Sequence, residues 1–194
     1  MGGRSLRDAS VPGESSEENI MTQPIAPCLW FDGNAEEAAN YYVSVFKDSK
    51  VLHVDRFSDV GPDPDAPVVF IEFQINGQPF QAINGGPEFH FTEAVSFSIA
   101  CANQGEVDYY WDTLTQEGEP GPCGWLKDKY GVSWQVVPTV LTELLRDADR
   151  ERAGRVMRRM LQMSKLDVAE LQAAYEGEQG RQGGSGSAGE SGTR

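Results

Sequence analysis

The chain has 194 residues, 39% of them hydrophobic, and a formal net charge of -14 at pH 7. Such a length and composition can bury a core in one domain, or in two small fused modules, without disulfide bonds. The acidic charge argues against a nucleic-acid partner, because Lys and Arg carry most of the affinity for phosphate backbones. No run approaches the roughly 18 apolar residues that span a bilayer, so we expect no membrane insertion.

The ends of the chain and its cysteines indicate where it resides. Residues 1–23 are polar and lack the apolar core of a secretory signal, so they predict a disordered extension in which Met21 is an alternative start. The Gly/Ser-rich residues 178–194 predict a disordered tail. Three cysteines follow no Cys-x-x-Cys spacing and indicate the reduced thiols of a cytoplasmic protein: Cys28, Cys101 and Cys123.

The first folded segment reads as a strand, a helix and three strands. Asn34 and Glu37 form a capping-box pattern at the start of a helix that ends near Phe46. The pair Asn76-Gly77 is the strongest short hairpin signal in the chain. Strands are predicted over residues 25–31, 51–57, 68–75 and 78–83.

The second segment repeats the first. Residues 103–106 repeat the helix start of residues 34–37, and Gln135 occupies the place of Gln81 in the last strand. The repeat predicts a helix over residues 103–116 and strands over residues 95–101, 124–127 and 132–137. Residues 58–67, rich in proline and aspartate, are predicted to form an extra loop in the first copy. The two copies predict a pseudo-symmetric domain with a site between its halves.

Two helices are predicted in an arm that follows the repeat. The first has an apolar stripe of Ala153, Val156, Met157 and Met160, and the second begins at Asp167, with Leu166 and Leu171 placed as a hydrophobic staple. The arginines of the first helix either dock the arm on an acidic surface or face solvent: Arg150, Arg152, Arg155, Arg158 and Arg159. The stripe covers either the chain's own sheet or a second subunit.

Three segments closely resemble the PhnB-like branch of the vicinal oxygen chelate superfamily, which includes glyoxalase I, bleomycin-resistance proteins and extradiol dioxygenases. They are residues 27–34 (PCLWFDGN), 83–87 (INGGP) and 123–138 (CGWLKDKYGVSWQVVP). The resemblance extends over residues 25–177. It implies an α+β fold in which two βαβββ modules form a curved mixed sheet around a cup, usually in a homodimer. The expected domain spans residues 24–138, with modules over 24–88 and 92–138, and the helical arm spans 139–177.

The resemblance also suggests two cofactors to consider, S-adenosylmethionine and a divalent metal ion. The branch is often labelled 3-demethylubiquinone-9 3-methyltransferase, but no strand leads into a Gly-rich nucleotide-binding turn, so we expect no S-adenosylmethionine site. Metal-dependent members place one ligand on the first and last strand of each module. Those positions fall, within one residue on the first strands, at Pro27, Ser96, Gln81 and Gln135. Because they offer no imidazole or carboxylate, and only a one-residue shift would add the Cys28 thiol, we expect no catalytic metal.

The expected cup therefore has neutral walls. Strand alternation and the repeat place these side chains in it: Leu29, Gln81, Ile83, Ser96, Ser98, Ser133, Gln135 and Val137. The opposite faces carry Phe80, Phe97, Ile99 and Trp134, which should pack beneath the helices. The two glutamines either bind a ligand or satisfy one another. No catalytic residue is assigned.

The leading hypothesis is a homodimer that binds a small organic molecule in the cup without a catalytic metal. Three alternatives remain open at this point. One is a metal-dependent lyase, isomerase or dioxygenase, and another is the methyltransferase of the family label. The third is a scaffold or regulatory dimer held together by the arm.

Overall fold

The computed structural model describes residues 25–56 and 67–177. The disordered extension, nearly all of the extra loop and the tail that the sequence predicts lie outside these residues, so they stay predictions. Within the described ranges, no helix is both long enough and apolar enough to cross a membrane.

The first module is a strand, a helix and three further strands: β1 (Cys28–Phe31), α1 (Ala35–Val45), β2 (Lys50–Arg56), β3 (Val68–Ile75) and β4 (Gln78–Asn84). They form a four-stranded sheet in the order β1-β4-β3-β2, with β1 parallel to β4. Asn76 and Gly77 join β3 to β4 with φ angles of 48° and 79°. Two successive positive φ angles are what a type I′ hairpin turn requires, so the predicted hairpin is confirmed.

The second module repeats this topology: β5 (Phe97–Cys101), α2 (Gln104–Thr115), β6 (Glu119–Pro120), β7 (Trp125–Lys127) and β8 (Ser133–Pro138). Its sheet has the order β5-β8-β7-β6, the same arrangement as the first. The prediction of two βαβββ modules is confirmed. The two-residue strand β6 was not predicted, because a Glu-Pro pair carries no strand periodicity and proline is tolerated only at a sheet edge.

The two helix starts differ although their sequences match. The Asn103 side chain accepts a hydrogen bond from the Glu106 backbone N–H at 3.1 Å and caps α2 as predicted. The Asn34 side chain makes no capping bond. Asn84, at the end of β4, instead accepts from the Ala35 backbone N–H at 2.9 Å. The predicted cap of α1 is therefore wrong, because a side chain distant in sequence satisfies the exposed N–H.

The two modules share one core between their helix-bearing faces. The Phe80 ring of β4 packs on Phe97 of β5, and Phe97 packs on Trp134 of β8, with ring centroids 5.1 and 5.4 Å apart. The helices also touch, since the Tyr109 hydroxyl of α2 donates to the Val45 carbonyl of α1 at 2.9 Å. The predicted packing of Phe80, Phe97 and Trp134 beneath the helices is confirmed. The opposite, outer face of each sheet consequently turns away from the shared core.

A buried carboxylate joins the modules. Asp128, only 3% exposed, accepts hydrogen bonds from the Tyr42 hydroxyl of α1 and the Trp134 indole N–H, both at 2.8 Å. It also accepts from the backbone N–H groups of Tyr130 and Val132 at 2.9 and 3.0 Å, which forms the predicted turn before β8. Burial raises the pKa of Asp128, and the four donors oppose that shift.

The arm packs on its own chain. It contains α3 (Thr139–Leu145), α4 (Arg150–Met160) and α5 (Val168–Glu176), of which α3 was not predicted. Its buried cluster packs against Val137 of β8 and consists of Leu141, Val156, Met163, Leu166 and Leu171. Through this cluster the arm therefore packs on its own second module.

The arginine-bearing helix α4 is joined to α5 by Arg155 and by an ion pair between Arg159 and Glu170. Arg155 donates to the backbone carbonyls of Ala174 and Tyr175 at the end of α5, at 2.9 and 2.6 Å. A cation at the C-terminus of a helix interacts favourably with the negative end of the helix dipole. Met157 is 41% exposed, so the predicted apolar stripe is wrong at that position. The buried stripe follows Ala153 and Val156, and Met157 lies on its flank.

Candidate ligand-binding site

Strand pairing decides which side chains share the outer faces. Gln81 pairs with Cys28 in the first sheet, and Gln135 pairs with Ser98 in the second. The first-strand positions are thus one and two residues from the predicted Pro27 and Ser96. Leu29 pairs with Ala82, and both are buried in the core. Alternation along β1 therefore puts Leu29 on the face opposite to Gln81.

The outer face of the first sheet contains Gln81 and Ile83. The Gln81 amide donates to the Glu72 carboxylate at 3.5 Å, across the β3–β4 pairing. Ile83 pairs with Phe70 on the same face. Neither Gln81 nor Ile83 lines any of the three cavities described below.

The outer face of the second sheet carries two rows of side chains. Glu119, Lys127 and Ser133 are register partners on three successive strands, β6, β7 and β8. Trp125, Gln135 and Ser98 form the next row, across β7, β8 and β5. Paired residues lie on one face with neighbouring side chains. A carboxylate, an ammonium and a hydroxyl therefore stand side by side, next to an indole.

The first row lines a cavity of about 390 Å³. Its walls include Glu93, Pro120 and Trp125. The Lys127 ammonium donates to the Glu93 carboxylate at 2.6 Å, and this bond raises the pKa of Lys127 and lowers the pKa of Glu93. Sequence reasoning missed Glu93, Glu119, Trp125 and Lys127. Hairpin spacing around the turn at residues 128–132 could have predicted that Lys127 faces Ser133.

Ser133 is a predicted site residue whose buried hydroxyl lacks a hydrogen bond to the described residues. Its side chain is 1% exposed, and its hydroxyl has no hydrogen-bond partner among residues 25–56 and 67–177. The same residue borders a second cavity of about 260 Å³, together with Leu29 and Cys28 of the first module. Buried hydroxyls almost always find a partner, so one without a protein partner indicates a bound molecule or water.

The remaining predicted residues lie elsewhere on the second module. The Gln135 amide donates to the Ser96 hydroxyl at 2.9 Å. Ser96 and Ser98 line a groove of about 540 Å³ between the modules. Val137 packs against the arm, so the arm removes it from the expected cup. Among the described residues of one copy, Gln81 and Gln135 bond to Glu72 and Ser96 and not to each other.

The residues present do not fit the two cofactors that the resemblance raises. The four paired positions carry a thiol, a hydroxyl and two amides, and burial raises the pKa of the Cys28 thiol. Within the described ranges, no three His, Cys, Asp or Glu side chains are grouped to hold a metal ion. Neither α1 nor α2 follows a Gly-rich turn, because one glycine, Gly33, precedes α1 and none separates β5 from α2. This arrangement does not fit S-adenosylmethionine.

Comparison with known protein families identifies the family of this chain. The model of a family described as 3-demethylubiquinone-9 3-methyltransferase matches residues 23–137. The chain belongs to this family. The predicted membership of the PhnB-like branch, within the vicinal oxygen chelate superfamily, is thereby confirmed. No curated protein matches the chain.

Two solved structures are similar to this PhnB-like protein. A putative 3-demethylubiquinone-9 3-methyltransferase, PhnB protein, from Bacillus cereus is 36% identical with a TM-score of 0.54; the match covers 60% of this chain and 100% of that chain. A protein from Pseudomonas aeruginosa is 19% identical with a TM-score of 0.50, over 59% of this chain and 96% of that chain. The second similarity concerns the fold alone.

Proposed function

We propose that this PhnB-like protein binds a small organic molecule in the 390 Å³ cavity on the outer face of its second sheet. The observation that carries the proposal is the Ser133 hydroxyl, which is buried at the cavity wall and has no partner among the described side chains and backbone groups. A buried hydroxyl without a hydrogen bond costs free energy, and a ligand in the cavity would remove that cost.

The size and lining of the cavity favour a ligand over a single water molecule. Its volume of about 390 Å³ lies within the range of roughly 300–1,000 Å³ typical of small-molecule sites, and a water occupies only about 30 Å³ of liquid. Trp125, Pro120 and Pro122 supply apolar walls, and Ser133 supplies a polar contact. Apolar walls with few placed polar groups are typical of binding sites.

Binding in this proposal needs no catalytic metal. The residues on the outer face include an ion pair, an amide and hydroxyls, and none of them forms a three-ligand group. We expect added Zn²⁺, Mn²⁺ or Mg²⁺ to leave the melting temperature nearly unchanged. A large and saturable increase would contradict this part of the proposal, because a ligand that binds the native state raises its stability.

Native mass spectrometry of protein purified gently from its host tests the binding function. We expect the wild type to retain a molecule that Ser133→Ala loses or holds at lower occupancy. Ser98→Ala is the matched control, since Ser98 lies on the same outer face but does not line this cavity. Equal occupancy in wild type and Ser133→Ala, or no bound molecule together with no stabilisation by a small-molecule library, would overturn the proposal.

We also propose a homodimer in which the first module of one copy faces the second module of the other. Gln81 and Gln135 lie on faces that turn away from the shared core, so a cup containing both needs a second copy. Light scattering should then give the mass of a dimer, and Ile83→Arg on the outer face should reduce it to that of a monomer. A wild-type monomer at all accessible concentrations would contradict the assembly but not the binding site.

A further inference from the structure

We propose that the cavity selects a small organic cation, whose ammonium group is bound by Glu119. This rests on the proposed binding function and adds the chemical class of the ligand. The carboxylate of Glu119 and the hydroxyl of Ser133 are the two polar groups of the row that the described residues leave without a hydrogen bond or ion pair.

The charges in the cavity favour a cation. Lys127 forms an ion pair with Glu93 at 2.6 Å, and its register partner Glu119 acts on it only through longer-range charge attraction, with no ion pair to Glu119 in the described part of the chain. Two carboxylates around one ammonium give the cavity an excess negative charge. A neutral ligand would form no ion pair with the Glu119 carboxylate, and an anion would be repelled by it. The net charge of -14 adds a long-range field of the same sign.

Ser133 supplies independent evidence for a ligand in the same row. Its hydroxyl lies two strands from Glu119, on the same face and within the same cavity wall. Adjacent strands are roughly 5 Å apart, so the two residues are separated by about 10 Å at the backbone. That separation, shortened by the side chains, suits a molecule with an ammonium at one end and a hydrogen-bonding group at the other.

Trp125 supplies an apolar surface beside this row, in which Lys127 lies between Glu119 and Ser133. It lies two residues from Lys127 and therefore on the same face of β7. The Trp125 backbone is held against Gly121, whose N–H donates to the Trp125 carbonyl at 2.8 Å. An indole face binds cations as well as aromatic rings. The ligand class is thus an amine with an aromatic or apolar body.

Three probes of similar size distinguish the effect of ligand charge on affinity from the effect of ligand shape. They are 2-phenylethylamine, 2-phenylethanol and 3-phenylpropanoate. Titration calorimetry at low salt should show the amine binding about tenfold more tightly than the alcohol, as expected for one added charge-assisted hydrogen bond. The phenylpropanoate should bind most weakly. Added salt should weaken amine binding and leave alcohol binding unchanged.

Glu119→Gln and Glu117→Gln form a matched pair. Glu117 is exposed, lies 3.7 Å from the Lys129 ammonium and does not line the cavity. Glu119→Gln should lose about tenfold in amine affinity with alcohol affinity unchanged, and Glu117→Gln should behave as the wild type. Both positions are exposed, so both variants should fold.

Several outcomes would contradict the proposed selectivity for an organic cation. They are equal affinity for amine and alcohol, tightest binding of the phenylpropanoate, no binding of any probe, or an equal loss in both glutamine variants. These results leave the proposed binding function standing if native mass spectrometry finds a molecule that Ser133→Ala loses. If no such molecule is found, the binding function fails independently of the probes.

Discussion

The outer faces of the two sheets differ although the sheets have the same strand order. In the first, Gln81 and Glu72 are cross-strand partners and hydrogen-bond to each other. In the second, Glu119 and Ser133 flank Lys127 and have no hydrogen-bond partner among the described residues. The second face, where the buried Ser133 hydroxyl has no partner among the described residues, is the better candidate for ligand binding.

The turns before the last strand of each sheet differ in the same way. The first module uses Asn76-Gly77, an exposed two-residue turn. The second uses Asp128, which is buried and accepts from four donors in both modules. The first turn bonds within its own module, since the N–H groups of Asn76 and Gly77 donate to Ser49 and Asp48, and the second turn contributes to the contact between modules.

The second turn is expected to be much more sensitive to mutation than the first. Asp128→Ala should lower the free energy of unfolding by about 3–5 kcal/mol, because it leaves buried donors on Tyr42 and Trp134 without an acceptor. Asn76→Ala in the first turn should lower it by about 1 kcal/mol, the cost of a left-handed backbone for alanine. Urea unfolding of both variants measures the difference. Equal losses would show that the two turns contribute alike.

The helices of the two modules also differ in how their first turns are capped. Asn103→Ala should lower stability by about 1 kcal/mol, since it removes the cap of α2. Asn34→Ala should cost only a few tenths of that, because its side chain makes no capping bond. Asn84→Ala should cost at least as much as Asn103→Ala, since Asn84 also donates to the Val68 carbonyl at 3.0 Å. Thermal unfolding measures all three, and a large loss in Asn34→Ala would contradict the observed asymmetry.

Substitutions of Ser133 and Ser96 should differ in their effect on stability, although both are serines near the outer face of the second sheet. Ser133→Ala in ligand-free protein should leave stability unchanged or raise it by up to about 1 kcal/mol, because it removes a buried hydroxyl without a partner. Ser96→Ala should lower stability by about 1 kcal/mol, because it removes the acceptor of Gln135. Chemical denaturation of the two variants gives both values. A clear loss in Ser133→Ala would show that its hydroxyl is already satisfied.

Much of the framework could be predicted from local sequence. The Asn76-Gly77 turn, the Asn103 cap and the strand β3 follow from residues close together in the chain. The candidate site was predicted only in part. Ser133 was assigned to the binding face, but Glu119 was not, because a Glu-Pro pair in a two-residue strand has no recognisable pattern.

Local sequence patterns were sufficient to predict the duplication, the helices α1 and α2 and most of the strands, since period-two alternation and turn residues act over short distances. Long-range packing was needed to show that the helix-bearing faces meet, that Asn84 caps α1, that Leu29 is in the core and that the arm covers Val137. The same holds for the row of Glu119, Lys127 and Ser133. Each depends on packing or register between residues far apart in the chain, which no local pattern specifies.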